Sequence, residues 1–319
     1  MPVSEQGRVL FPTEILYRLS VKERSPNPPL RHNKSRLLHK ITEACLESVN
    51  RSLENSKIKY EIIVIDNGSH DGSPQLLETM FKDSKNHLVY RQTGKNLGFG
   101  KGTNLGVKIA KGKYILLLNS DTVVLNRSIE KLYNFYLENE KQVHFLGAKL
   151  LNRDLTPQSS ACRFFTLPVV FATLFLKGDY WDLTRSSPNK FSQVDWISGA
   201  CIMTTKKLYL RLGGFDKNIF MYMEEVDLLY RAKKSGLNTY FYPDSQIIHL
   251  GSASSTGKTF PILQVYRGFI FFYKKHYSIF HLLILHLILK FKATIAYLIG
   301  KIKNDSYLIK TYGEAFKLV

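Results

Sequence analysis

Four stretches carry side chains whose types and spacing could do chemistry. YILLLNSD (114–121) is an unbroken apolar run that stops abruptly at Asn119-Ser120-Asp121. A short apolar run without alternation suits a parallel strand buried on both faces, although periodicity alone does not separate it from buried helix. Lys111-Gly112-Lys113 marks its start. In open α/β sheets ligands bind beyond the carboxyl ends of such strands, so Asp121 stands where a ligand would be met. Asn119 and Asp121 offer oxygens to a hard divalent cation, which shares its ligands with phosphates. A plain Asp turn leading into TVVL is the alternative.

DNGSHDGS (66–73) follows the run IIVI, so Asp66 emerges at another strand end, where a carboxylate can accept a hydrogen bond from a base or ribose. Asn67-Gly68 lets backbone approach a ligand closely, and ordinary turn chemistry explains the same residues. NLGFGKGTNLG (96–106) could cradle a phosphate at a helix N-terminus. Its G-x-G-x-G spacing is neither the dinucleotide fingerprint nor a Walker loop. In GGFDKNIFMYMEEVDLLYRAKKSG (213–236), Glu224 and Glu225 open a helix whose dipole favours their ionised form. Glu225, Leu228 and Ala232 share one face, which puts Glu225 in phase with core-facing residues. Glu224 and Asp227 fall on another face with Arg231, and a surface salt bridge accounts for the Asp227–Arg231 pair.

The elements that must position these groups alternate. Leu37 to Leu53 shows helical spacing, 60–66 a strand, 72–81 a helix with Ser73 as N-cap, and 87–90 a short strand. A helix through about Ala110 then leads into the strand at 114. Strand and helix in alternation predict an α/β fold with a mixed, mostly parallel sheet. Further helices are expected at 128–139 and 224–236, a strand at 196–205, and one or two strands in 239–252. Residues 159–195 show little pattern. Residues 22–36, rich in proline and charge, read as a linker.

The chain has 319 residues, 44% of them hydrophobic, which allows a large core. Its formal net charge of +19 calls for an anionic partner. No nucleic-acid motif appears, and the basic residues cluster with apolar ones near the C-terminus, so nucleic acid is not expected. Cys45, Cys162 and Cys201 are scattered and read as buried thiols in a reducing compartment. The first twenty residues lack the apolar core of a signal peptide, and a cytoplasmic chain is expected.

Taken in order, these segments resemble family 2 glycosyltransferases, the inverting enzymes of GT-A fold, and most of all the rhamnosyltransferase and galactofuranosyltransferase branch. The resemblance is carried by Asp66–Ser73, Asn96–Asn104, Asn119–Asp121, Trp196–Ala200, Gly213–Asp216, Phe220–Leu228 and His249–Gly251. It implies a GT-A domain over 37–255, with a basic, apolar helical region at 256–319. It implies that Asp66, Asn67, Gly68, Asp71, Asn96, Gly98, Asn104 and Asn119 serve the nucleotide, and that Asp121 with His249 holds Mg²⁺ or Mn²⁺ at the diphosphate. Trp196, Glu224 and Asp227 would face the acceptor, and Glu225 would be the general base. The donor would be a dTDP- or UDP-sugar, with rhamnose as one candidate, and the acceptor a saccharide or a lipid-linked sugar in surface polysaccharide synthesis.

Family members usually open with an apolar strand just before the first helix. Here PNPPLRHNKSR precedes Leu37, and proline is disfavoured in a central strand. Residues 1–36 are therefore expected to be irregular, with the first strand missing or replaced and the nucleotide pocket incomplete. A catalytically impaired sugar- or membrane-binding relative is the alternative function. Near the C-terminus the apolar run Ile279–Leu289 is followed by Lys290 and Lys292. That is short for a spanning helix and suits an interfacial one on an anionic leaflet, placing the protein on the inner face of the cell membrane. A basic helix packed on the catalytic domain is the other reading.

Overall fold

The computed structural model describes residues 7–13, 30–69, 73–82, 88–251 and 259–319. The first half runs β1 (Gly7–Thr13), α1 (Leu30–Leu53), β2 (Ile62–Asp66), α2 (Ser73–Lys82), β3 (Leu88–Gln92), α3 (Phe99–Ile109) and β4 (Tyr114–Leu118). Then come β5 (Thr122–Val124), α4 (Ser128–Glu138), β6 (Phe145–Leu151), β7 (Pro157–Gln158), β8 (Ala161–Cys162) and α5 (Leu167–Phe175). Short strands β9 (Arg185–Ser186), β10 (Ser192–Val194) and β11 (Trp196–Ile197) lead to β12 (Cys201–Thr205), α6 (Lys206–Arg211), α7 (Glu224–Lys234) and β13 (Thr239–His249). Three helices close the chain: α8 (Thr259–His276), α9 (Ile279–Ile302) and α10 (Ser306–Leu318).

The main sheet has the order β10-β13-β6-β12-β4-β1-β2-β3, with β5 on β13 and β7 on β6. One half, β4-β1-β2-β3, is parallel throughout, and β12 joins it antiparallel to β4 and β6. Successive side chains on a strand point to opposite faces, and both faces are covered. Ile62 and Val64 of β2, with Tyr114, Leu116 and Leu118 of β4, enter the core shared with α1 and α4. Ile63, Ile65, Ile115 and Leu117 enter the core shared with α3, α7 and α8. Doubly covered strands are why these runs carry no polar alternation. Each such side chain, fully buried, contributes about 1.5–3 kcal/mol.

The first strand is present, which corrects the expectation of its loss. Gly7–Thr13 lies between β2 and β4, parallel to both, well upstream of PNPPLRHNKSR. Pro12 hid it. That residue lies past the last β1–β4 pair, Leu10↔Leu117, where one side of the strand carries no ladder partner and a missing N–H is tolerated. The linker reading is corrected over 30–36, while 22–29 lie outside the described residues. α1 begins at Leu30, directly after Pro28-Pro29, where first-turn amides have no helical partner to lose.

Two further expectations shift. WISGACIMTT is not one strand. β11 belongs to a separate three-stranded sheet, β11-β8-β9, and a turn at Ser198–Ala200 carries the chain into β12 of the main sheet. The boundary at 256 also moves, because α8 buries Tyr266, Phe269, Phe272 and Tyr273 in the core beneath the main sheet. The three cysteines are free and buried, as expected.

Candidate active site

β2 and β4 flank β1 in register. Leu10 stands opposite both Ile63 and Leu117, and Thr13 opposite Asp66. Asp66 and the Asn119–Asp121 loop therefore leave the same sheet edge, two strand spacings or about 10 Å apart.

Asp66 is fully buried, and its carboxylate is engaged by its own surroundings. Oδ1 accepts from the Ser69 N–H at 2.9 Å, and Oδ2 accepts from the Tyr90 hydroxyl at 2.8 Å and Gln92 Nε2 at 3.4 Å. Burial first, then the Asp66 charge, pushes the Tyr90 phenol up, so it remains a donor. Asp66 thus builds the 67–69 turn at the carboxyl end of β2.

The neighbouring residues are the wall of the same pocket. Asn67 Oδ1 accepts from the Leu97 N–H at 2.9 Å, while its Nδ2 donates to the Gly98 carbonyl and to Asn96 Oδ1, both at 3.2 Å. Gly68 has φ +86°, and a Cβ there would come within 2.6 Å of the Lys95 backbone. Gly98, at φ +87°, would meet the Phe220 carbonyl at 2.6 Å. Only glycine fits either position. Asn96 closes the turn by accepting from the Gly98 N–H at 2.9 Å. Asn104 does not belong to this wall: its amide accepts from the Phe215 N–H at 3.0 Å and donates to the Phe215 carbonyl at 2.8 Å. Asn104 pins the 213–216 turn to α3. Asp71 lies outside the described residues.

Asp121 and His249 meet. β5 pairs with the end of β13, setting His249 opposite Thr122, and His249 Nε2 lies 3.4 Å from Asp121 Oδ1. Gln158, which no sequence pattern singled out, fixes the imidazole. Its Nε2 donates to the His249 carbonyl at 3.2 Å, so its Oε1 is the acceptor 2.7 Å from His249 Nδ1. Nδ1 then donates to Gln158, and Nε2 faces Asp121 and Asn119 Nδ2, the latter 3.5 Å away. Asn119 Oδ1 is buried without a partner. An orphaned amide oxygen, a carboxylate and an imidazole nitrogen fit a divalent cation. Among the described residues no group of three or more His, Cys, Asp and Glu forms a metal cluster. A cation held by Asp121 and His249 would take its other ligands from elsewhere, as one bound to phosphates does.

Glu225 faces this loop across one turn. The Asn119 N–H donates to the Ala200 carbonyl at 3.0 Å, and the adjoining Gly199 lies against Glu225, where an added Cβ would stand 3.6 Å from Oε1. Glu225 is half-buried, and its Oε2 has no hydrogen-bond partner. Burial pushes its carboxyl above the ordinary glutamate range, against the pull of its own N–H, the Arg185 cation and the Gly199 and Val226 amides. A raised carboxyl with one oxygen unpartnered is a competent proton acceptor. Arg185, also missed in the sequence, stacks its guanidinium 5.4 Å from the Trp196 ring centroid and pairs with Asp179 at 3.8 Å. Because its charge favours the carboxylate, Arg185→Gln is expected to raise the Glu225 pKa further. The acidic limb of a kcat/KM–pH profile should move to higher pH, and an unmoved limb would remove Arg185 from this role.

The three expected acceptor residues are placed differently. Trp196 is 3% exposed, donates from Nε1 to the Arg163 carbonyl at 2.7 Å and packs on Phe165, so it is a core residue. Glu224 is buried deeper than Glu225, which reverses their expected phases on α7. Asp227 is fully buried rather than part of a surface pair. Its Oδ2 accepts from Arg231 at 2.8 Å, and its Oδ1 from Lys275 and His276, both at 2.7 Å. Arg231 also donates to the Leu212 and Gly214 carbonyls, so Asp227 ties α8 and the 213–216 turn to α7.

Burial alone would push the Asp227 carboxyl up, but His276, Arg231 and Lys275 prevail and hold it at about 2. Its stabilisation is therefore present above the unfolded carboxyl pKa near ~4 and is lost as pH falls toward 2. Asp227→Asn should cost about 3–5 kcal/mol in urea unfolding at neutral pH and flatten the acid loss between those values. A variant as stable as the parent would show the network to be dispensable.

The sheet order, the acidic loops at its parallel edge and the half-buried carboxyl at the head of α7 define a GT-A glycosyltransferase fold. S. aureus TarS, residues 1–349, superposes over 92% of this chain and 74% of its own with a TM-score of 0.52 and 16% identity. The same fragment in complex with UDP gives a TM-score of 0.50 at 18% identity. Residues 32–182 match the family described as Glycosyl transferase family 2. The low-salt glycan biosynthesis hexosyltransferase Agl10 of Haloferax volcanii is 25% identical over 56% of this chain and 55% of its own length. The N-acetylglucosaminyl-diphospho-decaprenol L-rhamnosyltransferase of Mycobacterium tuberculosis is 27% identical over 62% of this chain and 68% of its own length.

Proposed function

We propose that the protein transfers a sugar, with rhamnose the first candidate, from a nucleoside-diphosphate donor to a saccharide or lipid-linked acceptor, inverting the anomeric centre. The observation that carries this reading is the Glu225 carboxyl, raised and with its Oε2 unpartnered, one turn from the Asn119–Asp121 loop. The relatives' names, rhamnosyltransferase and hexosyltransferase, favour it, as does the neighbour solved with UDP. The impaired-relative alternative rested on a missing first strand, and β1 occupies that place.

In the proposed reaction Glu225 takes the proton of an acceptor hydroxyl as its oxygen bonds to the anomeric carbon. The bond from that carbon to the diphosphate oxygen breaks, and the electron pair leaves with the diphosphate. Gly68 and Gly98 let backbone approach the nucleotide, and Asn67 and Asn96 hold that wall rigid. Asp121 and His249 would hold Mg²⁺ or Mn²⁺, which when bound neutralises charge growing on the departing diphosphate. The test is a panel of dTDP- and UDP-sugars with Mn²⁺, scored for hydrolysis and for transfer to lipid-linked saccharides. Turnover of one donor supports the reading, and inertness toward the whole panel refutes it.

A further inference from the structure

α5 and α9 share an apolar surface that the protein leaves uncovered. α5 reads LPVVFATLF, apolar on nearly every side, yet its one buried residue is Val170. A helix apolar all round normally lies in a core or a membrane. α9 buries Leu285, Leu289, Ala293 and Gly300 on one side. On the opposite side Phe280, Leu287, Phe291 and Leu298 are 52–73% exposed. The two helices touch: Phe175 lies 5.7 Å from Phe291, and Lys292 Nζ donates to the Leu174 carbonyl at 2.6 Å. Beyond α5, Tyr180 and Trp181 extend the surface with exposures of 76% and 65%. Scattered exposed apolar side chains are ordinary, but a continuous patch of this kind marks an interaction site.

Charge indicates what covers it. The chain carries +19, and Lys290 and Lys301 border the exposed stripe of α9 at helical spacing. Aromatic rings with one polar end, such as Tyr180 and Trp181, suit a headgroup boundary. By length and composition α9 could cross a bilayer, with a mean hydropathy of 1.9 over a window only 17% buried. Its buried side, however, runs from Leu285 to Gly300 and stays packed against the body of the protein, which holds the helix alongside the domain. That arrangement fits a helix lying in the interface plane.

We propose that the α5–α9 face, bordered by Tyr180 and Trp181, docks into the headgroup region of an anionic bilayer leaflet with α9 parallel to its surface. The docking stands on its own; its consequence for catalysis rests on the glycosyltransferase reading. The loop after α5 supplies Asp179, which pairs with Arg185, whose charge acts on Glu225. The docked face is therefore linked to Glu225 through one ion pair, and an acceptor anchored in the leaflet would meet the base without leaving it.

The chain has two tryptophans, and Trp196 is buried, so Trp181 reports contact with lipid. With vesicles of phosphatidylcholine containing phosphatidylglycerol, the full chain is expected to co-sediment and its emission to shift to shorter wavelength. Lipids brominated near the headgroup should quench it more than lipids brominated at the chain end. Trp181→Phe should abolish the shift, added salt should weaken binding, and Phe280→Glu with Leu287→Glu should lower partition at least tenfold. Nucleoside-diphosphate binding by that double variant should be unchanged. Equal partition by the double variant, or binding without a Trp181 shift, would overturn the proposal. So would resistance to alkaline extraction, which marks a spanning helix, or a dimer that the double variant dissociates in the absence of vesicle binding. Failure of the transferase reading looks different: vesicle binding intact with no nucleotide bound.

Discussion

Glu225→Gln should reduce turnover by about 10²–10⁴-fold, the contribution of a positioned general base. The amide keeps the size of the side chain, and the Gly199 backbone against which it packs is unchanged. Nucleoside-diphosphate affinity should therefore stay within a few-fold of the parent, since the nucleotide wall is built by 67–69 and 96–98. The wild-type rate should rise with pH through the raised Glu225 pKa, because only the carboxylate accepts a proton, and the variant should lose that limb. Near-parental turnover in the variant would take the role of base away from Glu225. Loss of nucleotide binding along with turnover would show that the substitution disturbed the fold, and urea unfolding would register it.

Asp121→Asn carries the second large effect. Removing one negative charge beside His249 Nε2 should weaken Mn²⁺ binding, read directly as free Mn²⁺ by electron paramagnetic resonance. Turnover should fall by about 10²–10³-fold, the loss usual for one preorganised electrostatic contact. His249 stays oriented by Gln158 in the variant, so the effect belongs to the carboxylate. Unaltered Mn²⁺ binding would place the cation elsewhere or nowhere.

Much of this site was legible because a doubly covered parallel strand leaves a distinctive text. YILLL can sit only where both faces are buried, and the acidic residues that follow mark the ligand edge. β1 was illegible for the opposite reason: GRVLFPT is short, carries an arginine and a proline, and owes its place to its neighbours rather than to its own pattern. Asp227 shows a second limit. An i,i+4 pair with Arg231 reads the same on a surface as in a core, and the partner that settles the matter, His276, lies 49 residues further on.

Residues 159–195 defeated periodicity because β8 and β9 are two residues each and take their order from a three-stranded sheet. Gln158 and Arg185, which orient His249 and act on Glu225, lie at the margin of that stretch or within it. At the C-terminus Lys290 and Lys292 interrupt the apolar text but not the helix, since lysine is a good helix former. The expected eleven-residue run is the first half of a 24-residue helix.

Calorimetric titration of the full chain with UDP and with dTDP, with and without Mn²⁺, tests the central claim most directly. One of the two nucleotides should bind saturably with Mn²⁺ present, and much more weakly without it or in Asp121→Asn. Absence of heat for both nucleotides with Mn²⁺ present would contradict the account, as would binding indifferent to both the metal and Asp121.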